Sequence, residues 1–156
     1  MDRRGFITAA GLTAGSAVAS SIYAKDDHSH HHGKKAKERK ITSIEKKLIE
    51  ITRECDSTGK ICIAHCLRNL EAGNTSMAEC QMAVQAMLPV VAALHSNVSF
   101  GYGSKKNMKQ LAETCISFCK ACKKTCEPHI KHHKECAECA KSCDDCISVI
   151  KKYMAA

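Results

Sequence analysis

The sequence predicts an all-α fold, an antiparallel four-helix bundle with a cysteine-lined core. Three observations carry that expectation. From Ile41 onward proline occurs only at positions 89 and 128, so little interrupts a helix. Apolar and cysteine residues recur at spacings of three and four, the period of one helix face. The stretches with that period are separated by short connections marked by glycine, asparagine or proline, which suits antiparallel neighbours.

Two segments precede the bundle. Residues 1–24 open with Asp2, Arg3, Arg4, Gly5, Phe6 and Ile7 and continue mostly small or apolar to Ala24. A charged start, an apolar stretch and small residues before a charge run are the layout of a cleaved export signal. The paired arginines before Phe6 and Ile7 resemble a twin-arginine signal, a route that carries folded proteins. Ala17, Val18 and Ala19 fit an A-x-A cleavage site, and Ala24 is a second candidate. The run is too short to span a bilayer as a mature helix, so the expected destination is the periplasm, with no membrane attachment after cleavage. Residues 25–40 are rich in His and Lys without periodicity and read as a flexible linker. Residues 41–156 form the expected bundle.

Within it, Ile41, Ile44, Leu48 and Ile51 start a first helix that continues through Cys55, Cys62 and Cys66 to about Leu70. Ser57, Thr58 and Gly59 interrupt its composition but not its phase. Ala72, Gly73 and Asn74 end it with a glycine stop signal. Ser76 and Glu79 match a capping box that opens a second helix to about His95, with Pro89 inside it as a bend. Gly101 and Gly103 lie in the next connection. A third helix runs from Ser104 to about Cys126 and stops before Pro128, and a fourth begins near Ile130 and continues to Met154.

At ~100° per residue, Cys119, Cys122 and Cys126 fall within about 40° of Cys115. Cys139, Cys143 and Cys146 fall within about 80° of Cys136, and Cys62 and Cys66 within about 20° of Cys55. Lys120, Lys123, Lys124, Glu138, Lys141, Asp144 and Asp145 take the opposite faces. Each set of cysteines is thus one stripe, turned toward the core, and Cys80 belongs to the second helix. One or two buried cysteines are ordinary packing; three matching stripes are a lining.

Three chemistries use so many cysteines: a disulfide scaffold, zinc or iron–sulfur sites, and a soft-metal store. Neighbours on one helix stripe are poorly placed to bridge each other, and disulfide scaffolds are loop-rich. Bridges between helices stay open as an alternative for an exported protein. The C-x2-C pairs 119/122, 136/139 and 143/146 suggest zinc, yet C-x3-C pairs overlap them and no isolated set of four emerges. The ferredoxin string is absent. A continuous thiolate lining suits Cu(I), a soft monovalent ion that accepts two or three sulfurs. One Cu(I) per thiolate leaves the core near neutral, where one Zn(II) per thiolate leaves it strongly positive. Met87 and Met108 lie on the inner faces, though helix methionines more often fill space. His129, His132 and His133 read as a solvated turn.

These residues resemble the four-helix bundle copper storage proteins. The resemblance rests on Cys62, His65 and Cys66, on Asn74, Met77 and Cys80, on Cys119, Cys122 and Cys126, and on Cys136, Cys139 and Cys143, within a match over about 44–154. With the export signal it points to the secreted branch. It implies that the core binds many Cu(I) ions, that protomers form homotetramers, and that a His/Met cluster, matched by His65 and Met77, surrounds the open end. Asn69 and Ala72 stand where further methionines are expected, and Val91 where a further cysteine is expected.

The metal ligands expected are therefore Cys55, Cys62, Cys66, Cys80, Cys115, Cys119, Cys122, Cys126, Cys136, Cys139, Cys143 and Cys146, with His65 and Met77. No nucleophile is paired with a positioned base, so no enzyme is expected. A thiol oxidoreductase would need a βαβ pattern around a CxxC pair. Nucleic-acid binding finds three Phe, three Tyr and no Trp for stacking, despite a formal charge of +8. Partners expected are copper ions, further copies of the chain, and copper-requiring enzymes or chaperones.

Overall fold

The computed structural model describes residues 39–156; the expected export signal and most of the expected linker lie outside the described residues. Thr42 starts the first helix, α1 (Ser43–Glu71). Its hydroxyl accepts from the Glu45 backbone N–H at 3.3 Å, and the Glu45 carboxylate accepts from the Thr42 N–H at 2.8 Å. This reciprocal capping box satisfies two otherwise orphaned donors. Arg39 pairs with the same carboxylate and donates to the Val98 carbonyl at 3.0 Å, tying the chain entering α1 to the end of the second helix. α1 continues through Ser57, Thr58 and Gly59 as its phase predicts. Gly73, at φ 88°, takes the left-handed conformation that turns the chain back.

The expected Ser76–Glu79 capping box does not form. The turn is made earlier, by Asn74, whose side-chain oxygen accepts from the Ser76 N–H at 3.3 Å and the Ser76 hydroxyl at 2.7 Å. A 3-10 turn, Thr75–Met77, leads into α2 (Ala78–Phe100). α2 passes the expected stop at His95 because its buried stripe continues through Val98, and Gly101 at φ 69° ends it. Pro89 sits inside α2 on the exposed side.

Ser104 caps α3 (Lys105–Cys126), accepting from the Asn107 N–H at 3.2 Å. A 3-10 turn over Glu127–His129, with Pro128, follows. α4 (Lys134–Ala155) begins later than the expected Ile130. The N–H groups of His132 and His133 both bond the His129 carbonyl, at 3.1 and 2.9 Å, which commits the chain to a turn before the helix opens.

The helices form a ring in which α1 and α3 each pack against α2 and α4. The described residues are thus an all-α four-helix bundle, as predicted. Thr75–Phe100 is long and apolar enough to cross a membrane by length and composition. Here its stripe of Cys80, Val84, Met87, Val91, Leu94 and Val98 is buried in the bundle.

The core has two zones. At the end where α1 and α3 begin, Leu48, Ile51, Leu94, Val98, Met108, Ala112 and Ile150 are buried and aliphatic or thioether. From Cys55 and Cys146 to the opposite end, thiols replace them on three helices. Thr52 is buried between the zones without cost, since its hydroxyl donates to the Leu48 carbonyl at 2.7 Å.

Candidate metal centre

All twelve cysteines are unbridged and buried. Each helix projects its thiols inward because the spacing of three and four residues keeps them on one face. Gly59 lets α1 and α2 approach closely: a Cβ there would stand 2.7 Å from Leu88 Cδ2 and 3.2 Å from Met87 Cε.

The thiols fall into five groups whose sulfurs lie within 4.8 Å of one another. Cys62, Cys66, Cys80 and Cys136 form the group nearest the α1–α2 turn. Cys62 is shared with Cys126 and Cys139, and Cys139 with Cys122 and Cys143. Cys143 is shared in turn with Cys55 and Cys119, and Cys119 with Cys115 and Cys146. Every cysteine belongs to at least one group, and each group hands one member to the next. The result is a continuous thiol chain along the bundle axis. Contacts across helices such as Cys80–Cys126 at 3.4 Å and Cys122–Cys139 at 3.7 Å are those of neighbouring thiols and far exceed an S–S bond.

Such proximity redistributes protons. A thiol that donates its S–H to a neighbour's sulfur holds its own proton and favours the neighbour's thiolate. Hydrogen bonding to Cys126 first lowers Cys80 to about 4, and bonding to Cys119 first lowers Cys115 to about 5. Cys136 and Cys139 are also held below the usual thiol range, chiefly by Cys126 and by Cys122 respectively. The donors move the other way. Cys126 is raised by its bond to Cys122, then Cys136, and Cys143 by its bond to Cys119, then Cys122. Neighbours that share protons in this way are a ready set of thiolate ligands.

His65 lies outside the thiol groups. Its ring meets His133, Nε2 to Nδ1 at 2.8 Å, while Nδ1 faces the Glu135 carboxylate at 3.3 Å. The Asn69 amide holds it from below, donating to the His65 carbonyl at 2.9 Å. His129 packs edge-on to His133 with ring centroids 6.1 Å apart. These polar groups cluster at the end where α1 stops and α4 begins. Met77 is fully buried at the start of α2, one turn before Cys80. So the turn read as solvated contributes His133 to the site, while His132 stays exposed.

Met87 takes the inner-face position that its helical angle predicts. It is fully buried, and the thiols of Cys55 and Cys143 approach its Sδ to 3.8 and 3.6 Å. Val91, at the position expected for a cysteine, is a buried aliphatic residue.

A buried chain of thiols with depressed and shared protons can hold soft metal ions along its length. A family model described as copper storage protein matches residues 41–155. No curated protein matches the chain.

Proposed function

The chain belongs to the copper storage protein family, and on that premise we propose that it stores many Cu(I) ions on the cysteine thiolates inside the bundle. The role is sequestration of a toxic ion and its later supply to copper-requiring enzymes, without catalytic turnover. The observation that carries the reading is the chain of five thiol groups linked by Cys62, Cys139, Cys143 and Cys119. Shared bridging sulfurs suit a close-spaced array of monovalent ions, each taking two or three sulfurs. Divalent zinc in the same array would accumulate uncompensated positive charge in a desolvated core.

All twelve cysteines serve as ligands, with His65 and Met77 at the end where copper enters. The aliphatic zone closes the other end, and the His65–His133–Glu135 cluster supports access beside the Cys66 group. The protein is exported by the twin-arginine route to the periplasm, with removal of residues 1–24. Burial of every thiol in the folded bundle supports a route that carries folded chains. A homotetramer is supported by the outer surface of α2, where Met82, Ala86, Pro89 and Phe100 are exposed and no Asp, Glu, Lys or Arg occurs from Gln81 to Phe100.

The test is a titration of the reduced protein with Cu(I) against a competing chelator. About ten or more ions per chain are expected from charge pairing along the thiol chain. Tight binding of a few Zn(II) ions with little Cu(I) would overturn the reading.

A further inference from the structure

Among the residues that line the thiol chain, Met87 has a distinct chemistry. α2 carries one cysteine, Cys80, and its other buried positions are aliphatic except for Met87. Met87 sits two turns along α2 from Cys80, far inside the bundle. Its Sδ lies 3.8 Å from Cys55 Sγ and 3.6 Å from Cys143 Sγ. Both thiols belong to the group completed by Cys119, in which the three sulfurs lie within 4.8 Å of one another. The sulfur of Met87 is therefore on the metal-facing side of that group. Gly59 makes room for it, since a Cβ there would press on Met87 Cε at 3.2 Å.

From these distances we infer that Met87 is a copper ligand. Cu(I) at mid-bundle is held by the Cys55 and Cys143 thiolates and the Met87 thioether. The inference rests on the Cu(I) storage reading above. When the ion binds, both sulfurs coordinate as thiolates, any proton still held on Cys55 or Cys143 leaves to solvent as its S–H bond breaks, and three Cu–S contacts form with no change in oxidation state. The thioether brings no charge, so the three-coordinate complex carries one negative charge. With Cys119 as the third thiolate it would carry two. In a core without water the smaller charge is favoured, and thioether sulfur is a soft donor suited to Cu(I). Met87 thus supplies a third sulfur where α2 has no thiol to give, and spares Cys119 for the next group along the chain.

Selenium absorption spectroscopy tests this on the reduced chain labelled with selenomethionine, carrying Met77→Leu and loaded with Cu(I). A copper–selenium scattering contribution is expected in that protein and its loss is expected when Met87→Leu is added. Bound copper with no such contribution, or a contribution that survives Met87→Leu, would overturn the assignment. The copper count in the same samples separates the two readings: failure to bind copper sinks the storage function, whereas copper without selenium contact sinks only Met87. If Met87→Leu does not fold, a chain with Met77, Met82, Met108 and Met154 all changed to leucine leaves Met87 intact. The contribution must then persist for the assignment to stand.

Discussion

On the storage reading, apo stability and copper-dependent stability should reside in different zones of the core, and a pair of substitutions separates them. Leu48 is fully buried in the aliphatic zone. It precedes Cys55 by seven residues, so it stands about 10 Å along α1 from the first thiol. Leu48→Ala deletes three carbons from a site with no solvent to fill it, at a cost of about 3 kcal/mol. For a domain of this size that is a fall of roughly 9–15 °C in Tm. Cys139→Ala removes one sulfur, comparable to a buried methylene, and costs about 1 kcal/mol in the reduced apo protein. Cys139, however, links two thiol groups, so its loss interrupts the chain. Because ligands that bind only the folded state raise its stability, copper should raise Tm in the parent protein. Leu48→Ala should lower apo and loaded Tm equally, leaving that rise intact, since sites this far apart act additively. Cys139→Ala should barely move the apo Tm and cut the rise. Calorimetry of both variants with and without Cu(I), under reductant, measures all four values. The reasoning fails if Leu48→Ala abolishes the copper-dependent rise, or if Cys139→Ala costs the apo protein as much as Leu48→Ala.

Three further outcomes follow from the geometry. Thr42→Ala removes the hydroxyl that accepts from Glu45 and should cost about 1 kcal/mol in chemical denaturation, with the copper count unchanged. Copper loading at pH 7 should release fewer than twelve protons per chain in a pH-stat titration. Cys80 and Cys115, lowered to about 4 and 5 by their neighbours, are already ionised there, whereas the raised Cys126 and Cys143 must each give one up. As pH falls through those two lowered values both thiols regain protons, so more protons leave per ion and affinity drops; release of twelve at pH 7 would contradict the ordering. Gly59→Val places a branched side chain where even a Cβ would meet Leu88 at 2.7 Å. Overpacking of about 1–3 kcal/mol should outweigh the better helix propensity of valine, seen as a lower apo Tm.

Much of the fold was legible because periodicity survives wherever burial dictates residue type. The phase from Cys55 to Cys62 carried α1 correctly across Ser57, Thr58 and Gly59, and the inward cysteine stripes of α1, α3 and α4 are buried as expected. The helix ends were less legible, because several side chains near a turn compete for the same orphan donors. Ser76 and Glu79 fit a capping pattern, yet Asn74, two residues earlier, took the Ser76 N–H. The box that does form, Thr42 with Glu45, lay inside a stretch assigned to helix on apolar spacing alone. At the site, helical angles identified which thiols face inward but not which sit within reach across helices. The handover of Cys62, Cys139, Cys143 and Cys119 between groups is a property of three packed helices together. The approach of His133 to His65 likewise joins residues 68 positions apart, and no local pattern contains it.

α2 gives the bundle an asymmetry in where its thiols stand. α1 contributes three cysteines, α3 and α4 four each, and α2 one. Its inward positions Val84 and Val91 are fully buried beside the thiol-bearing helices, and cysteine is close enough to valine in size to replace it with little repacking. The aliphatic zone anchors the fold independently of how the thiol zone is furnished. The number of inward thiols is therefore adjustable one residue at a time along a single wall, at Val84 and Val91, while the architecture stays constant.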